Sequence, residues 1–140
     1  MKILTHIDNE EELVTLIWRL THNERVRKHI ALHKKKGAVR IMRDDDGVIA
    51  GVAMFIMSDT QVSLSTYWVR EDIRRTSKSF FFFMNVFPHF GQREILVKAK
   101  DISTFKTYCE PTSKKDVYRL VVGKGLNLES INSLLDKRNG

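Results

Sequence analysis

The chain predicts a mixed α/β fold, and three observations carry that prediction. Ala38–Met42, Val48–Met57 and Gln61–Val69 are short β-rich apolar segments separated by turn residues, as strands of one sheet are. Segments with apolar residues three and four apart precede and follow them, the spacing of one helix face. Glycine and proline are sparse, 7 and 2 in 140 residues, with no low-complexity linker and no internal repeat, so 1–140 reads as a single domain.

The first helix starts at Asp8 or Asn9, either of which can accept from a first-turn amide. Glu11 or Glu12 follows at capping-box spacing. Leu13, Leu16, Ile17 and Leu20 are then placed on one face. The polar stretch His22–Lys36 predicts a second short helix and a loop. Ala38–Met42 leads into Asp44-Asp45-Asp46-Gly47, a hairpin turn, and the chain returns over Val48–Met57. In the third strand, Gln61–Val69, the residues Val62, Leu64 and Thr66 are assigned to one face. Ser77–Phe87 fits helix or strand by composition, and its place after a phosphate-loop-like turn makes it a buried helix. Glu94–Lys100 is a strand. Asp101 caps a short helix through Phe105 and Tyr108 that stops near Pro111, and Val117–Val122 is a closing strand. A C-terminal helix over 126–137, capped by Asn127, carries Leu128, Ile131, Leu134 and Leu135 on one side.

Composition excludes several classes. No run approaches the roughly 18 apolar residues of a membrane span, and the N-terminus has no signal-peptide apolar stretch, so the expected setting is cytoplasmic, without membrane. One cysteine, Cys109, makes no internal disulfide and no cysteine-pair zinc site. His29 and His33 sit four apart, but no third ligand is in view, so no metal is expected. A net charge of +7 suits either an anionic partner, nucleic acid included, or a plain basic surface. No helix-turn-helix or finger spacing accompanies the basic residues, which speaks against sequence-specific DNA reading.

The segment Tyr67-Trp68-Val69-Arg70-Glu71-Asp72-Ile73-Arg74-Arg75-Thr76-Ser77-Lys78-Ser79 runs straight into Phe80-Phe81-Phe82-Phe83. A strand ending in a basic, hydroxyl-rich turn before a helix can aim backbone amides and the positive helix end at a phosphate. The plainer alternative is a helix capped by Ser77 beside solvated arginines.

This segment resembles the cofactor loop of the GNAT superfamily of N-acetyltransferases. That loop is a strand ending in valine, then Arg/Gln-x-x-Gly-x-Gly/Ala, then a helix. Val69 and Arg74-Arg75-Thr76-Ser77-Lys78-Ser79 keep the spacing, with serine at both small positions. Asp101 and Tyr108, seven apart, match the family's asparagine and tyrosine after the fifth strand, with Asp for Asn and without the Gly-Phe that usually follows. Tyr118–Val122 is similar to the closing strand and Asp46–Gly51 to the second hairpin. The resemblance implies a mostly antiparallel central sheet flanked by helices, acetyl-CoA as cofactor and an amine as acceptor. It implies a diphosphate held by backbone at Arg75, Thr76, Ser77, Lys78 and Ser79 with charge from Arg74. Trp68 and Val69 would lie along the pantetheine arm, and Asp101 would take the family's asparagine place.

Tyr108 is the candidate acid for the departing thiolate, or else a buried aromatic. Glu71, with Asp72 beside it, is the candidate base, or else a surface carboxylate. Serine at both loop positions keeps a second class open, a GNAT-fold protein without catalysis that serves as a phage, virion or host-interaction component. A basic nucleic-acid-binding protein is the third. The apolar side of the C-terminal helix fits its own core or a homodimer.

Overall fold

Asn9, rather than Asp8, starts the first helix. Its side chain accepts from the Glu12 amide at 3.2 Å, while Asp8 and Glu12 both pair with Arg43. In this computed structural model residues 1–86, 94–98 and 109–120 are described. The elements are β1 (Lys2–Leu4), α1 (Glu10–Thr21), α2 (Val26–Lys36), β2 (Gly37–Arg43), β3 (Ile49–Met57) and β4 (Gln61–Val69). A 3-10 turn (Glu71–Ile73) follows, then α3 (Ser77–Val86), β5 (Glu94–Lys98), β6 (Cys109–Pro111) and β7 (Val117–Leu120). They build one seven-stranded sheet in the order β1-β2-β3-β4-β5-β7-β6. Every neighbouring pair is antiparallel except β4–β5, which is parallel. The expected mixed, mostly antiparallel sheet with helices is therefore what the chain forms.

The helices divide between the faces of the sheet. Phe80, Phe82, Phe83 and Val86 of α3 pack with Met42, Phe55, Val62, Leu64 and Val69. Leu13, Val14 and Ile17 of α1 and Val26 and Ile30 of α2 pack with Val39, Ile41, Val52 and Met54. In α1 the buried set includes Val14, whereas Leu20 is exposed: the helix closes at His22, whose left-handed φ of 52° turns the chain away. α2 passes directly into β2 at Gly37, where a Cβ would lie 1.8 Å from the Phe55 carbonyl oxygen, so only glycine fits. In the first hairpin Gly47 takes φ 81°, and the Asp44 carboxylate accepts from the amides of Asp46 and Val48.

A β-bulge sits in the middle of β4. Phe55 pairs with Leu64 and Met54 with Thr66, so the register steps over Ser65. Val62 and Leu64 face α3 before the bulge, as Tyr67 and Val69 do after it, and Trp68 packs with the α1–α2 core. This overturns the expectation that Thr66 continues the Val62–Leu64 face, because one inserted residue reverses the alternation.

Two strands escaped sequence reading. β1 is only three residues long, and β6 occupies Cys109–Pro111, where a helix end was expected. Tyr108, Asp101 and the helix over 126–137 lie outside the described residues. No described helix is long and apolar enough to cross a membrane.

Candidate cofactor cleft

β4 and β5 pair only at Gln61–Glu94, Val62–Ile95 and Ser63–Leu96, although β4 continues to Val69. β5 pairs β7 along its other edge from Ile95 to Lys98, so Val97 and Lys98 have a strand partner on the β7 side alone. Among the described residues, two parallel strands that part after three pairs leave a wedge between them, bordered on one side by the second half of β4. That half leads through the 3-10 turn into the start of α3. A chain-like ligand fits such a wedge as an added strand, and an anion fits the helix start at its apex.

The loop closing the wedge is shaped by Arg74, Arg75 and Thr76. Arg74 Nε donates to the Val69 carbonyl at 2.6 Å, tying the loop back to the end of β4. Arg75 takes the left-handed conformation, φ 62°, and is exposed. Thr76 turns its hydroxyl back to the Ile73 carbonyl and accepts the Phe80 amide through its own carbonyl. The first N–H groups of α3 have no intrahelical acceptor, which is general for helix starts. Ser77 and Ser79 are half-buried, and neither has positive φ. Serine there costs no backbone strain, because the loop's only left-handed residue among those described is Arg75.

Arg70, which the sequence grouped with the loop cations, is committed elsewhere. It donates to Asp44 at 2.8 Å and to Asp72 at 2.6 and 3.2 Å, and these bonds raise its own pKa. The same guanidinium holds both carboxyls below the usual carboxylate range. Asp72 is therefore engaged as an ion-pair partner of Arg70. Arg74, Arg75 and Lys78 remain as the cations of the loop. Glu71 is exposed at the start of the 3-10 turn, and its carbonyl accepts the Arg74 amide.

A cavity of about 700 Å³ opens on the flank of α3, with Ser77, Lys78, Phe81 and Met84 on one wall and Asp44, Asp45 and Asp46 on another. Asp44 and Asp45 are paired there with Arg70 and the Met1 amine, and Lys78 lines the same cavity.

Trp68 is half-buried against the α1–α2 core, and Val69 is buried. The half-buried Tyr67 ring lies 5.7 Å from that of Phe82. The structure thus brings Trp68, Val69 and Arg74–Ser79 to one strand end and the loop after it. Sequence reasoning missed the bulge, although the apolar positions betray it: they run 62, 64 and then 67, 69. It also missed the Arg74–Val69 tie, which has no local signal.

No family model and no curated protein matches the chain. Solved structures do. A GNAT-family acetyltransferase from Staphylococcus aureus Mu50 superposes with a TM-score of 0.60 at 15% identity, covering 86% of this chain and 98% of its own. The GNAT-family N-acetyltransferase YhbS from Escherichia coli, in complex with CoA, gives 0.64 at 13% identity over 94% of this chain and 84% of its own. GCN5 from Tetrahymena gives 0.61 at 10% identity over 85% and 93%. At these identities the likeness is one of fold: the chain has the GNAT fold.

Proposed function

We propose that this protein binds acetyl-CoA and transfers the acetyl group to an amine. One observation carries the reading: parallel β4 and β5 part after Ser63–Leu96, and the free-running half of β4 leads into the loop that opens α3. The diphosphate sits on the amides that begin α3, next to Arg74, Arg75 and Lys78, where helix dipole and side-chain charge favour it together. The pantetheine arm lies along Tyr67–Val69 as an added strand. A fold neighbour crystallised with CoA supports the same cofactor class. Neither Ser77 nor Ser79 has positive φ, so these positions do not need glycine's conformational freedom, and each hydroxyl can itself donate to a phosphate.

Transfer itself forms the C–N bond and breaks the C–S bond, and the departing thiolate takes a proton. Tyr108, matched by the resemblance, is the proposed donor. Calorimetric titration with acetyl-CoA tests the reading. Saturable binding is expected, and no heat at millimolar ligand would sink it. With binding established, Tyr108→Phe is expected to lower turnover about 10²-fold at unchanged affinity.

A further inference from the structure

We propose that the outer face of α2, together with Trp18 of α1, binds single-stranded nucleic acid without regard to sequence. The inference is independent of the acetyl-transfer reading, since α1 and α2 pack on the sheet face opposite α3. From Arg25 to Arg43 the chain carries eight lysines and arginines and no acidic residue. The fold sorts these cations into two sets. Arg27 pairs with Glu11, Lys34 with Glu10, and Arg43 with Asp8 and Glu12. Arg25, Lys28, Lys35 and Lys36 are exposed and have no carboxylate partner among the described residues.

Helical spacing lines the second set up. Arg25, Lys28, Leu32, Lys35 and Lys36 recur three and four residues apart, so they form one exposed stripe away from the buried Val26, Ile30 and His33. The stripe is roughly 16 Å long, enough to follow several successive phosphates of one strand. Helix stability does not account for it. Lys35 and Lys36 lie in the last turn and suit the negative end of the helix dipole. Arg25 and Lys28 lie at the positive end, where the first turn has no acidic residue and Arg25 makes no side-chain cap. Cations there oppose the dipole, so their benefit lies in a partner that is itself an anion.

Trp18 makes that partner a nucleic acid rather than an acidic protein. It shares one side of α1 with Glu11, seven residues earlier, and Glu11 is the residue that bonds Arg27 of α2. The indole therefore borders the basic face, and 47% of Trp18 is exposed. The His22 ring stands across it at 74°, with centroids 5.0 Å apart, which steadies the indole. An exposed indole beside a row of cations can stack an unpaired base while the phosphates are neutralised. A duplex keeps its bases inside its own stack and offers Trp18 nothing.

A labelled oligothymidine of about twelve nucleotides, followed by fluorescence anisotropy, is the probe. Saturable binding is expected at low salt, with affinity falling about 50-fold between 50 and 200 mM salt, as four phosphate contacts require. Oligouridine of the same length is expected to compete equally, because cations and an indole do not read a 2′-hydroxyl. Tryptophan emission is expected to be quenched, and Trp18→Ala to lose that quenching and about tenfold in affinity. Arg25→Glu with Lys28→Glu is expected to weaken binding about tenfold or more at low salt and to halve the salt slope. The melting temperature should hold or rise in that variant, because acids suit a helix start. The same change of charge at Lys114 and Lys115, exposed in the turn before β7, is expected to alter binding by less than about twofold. Equal losses from the two double variants would reduce the effect to overall charge and overturn the proposal, as would no binding at low salt. Unchanged tryptophan emission, a duplex that binds more tightly than the strand, or poly-glutamate that displaces the strand at equal charge would overturn the choice of partner.

Discussion

The two faces of the sheet are built differently. On the α3 face the core is apolar throughout, with Phe55, Phe80, Phe82 and Phe83 closing on Met42, Val62 and Val97. On the α1–α2 face the core is interrupted by buried His33, whose Nε2 has no hydrogen-bond partner, and by the small polar pocket at the bulge. The contrast separates two tasks. A dry aromatic face seats α3 and so fixes its N-terminus at the wedge, whereas the other face holds polar and titratable side chains within its packing. Placing an anion needs only geometry and dipole.

Removing a ring from the dry face breaks this division most strongly. Phe82 is fully buried, and a Cβ on Gly51 would already lie 3.1 Å from its ring. Phe82→Ala is expected to cost about 3–5 kcal/mol, read as a lower midpoint in urea unfolding. CoA binding should fall with it, because α3 loses its seat.

The polar face gives a smaller effect, with a sign set by pH. Burial lowers the pKa of His33 below its ordinary value of 6.5. The unfolded chain therefore binds a proton that the native state refuses, and stability falls as pH drops below about 6.5. It falls by at most about 1.4 kcal/mol per pH unit for this one group. His33→Leu is expected to flatten that dependence and to stabilise the protein by about 1 kcal/mol at pH 7, by removing an unsatisfied buried nitrogen. Melting curves at pH 5 and pH 8 check it, and an unchanged difference between them would clear His33 of the effect.

The smallest change in stability comes at the loop, where function and fold are expected to part. Arg75→Gly relieves a left-handed non-glycine residue while adding backbone freedom to the unfolded chain, so the unfolding free energy should move by less than about 1 kcal/mol. CoA affinity should drop about tenfold at low salt, with the difference shrinking as salt is added. Equal affinities at low salt would take Arg75 out of the cradle.

Much of this was legible in the residues. The Asn9 cap, the Asp44–Gly47 hairpin and the α3 helix all follow from short-range chemistry: side-chain acceptors, a glycine at positive φ and the spacing of apolar positions. Other features were not. β1 and β6 are too short to carry a period and exist because β2 and β7 offer them edges. Leu20 follows the helical spacing of the buried face yet is exposed, close to where α1 ends at Thr21.

By itself the sequence determined the longer helices and strands and where a basic, hydroxyl-rich turn meets a helix start, because these depend on neighbours a few residues away. The tertiary structure alone decided which cations of that turn stay available, by pairing Arg70 with Asp44 and Asp72 and tying Arg74 to Val69. It also decided that the serines cost nothing in backbone strain, and that His29 from one helix meets Ser65 and Thr66 from a distant strand. Such outcomes rest on contacts between residues far apart in the chain, which no local pattern encodes.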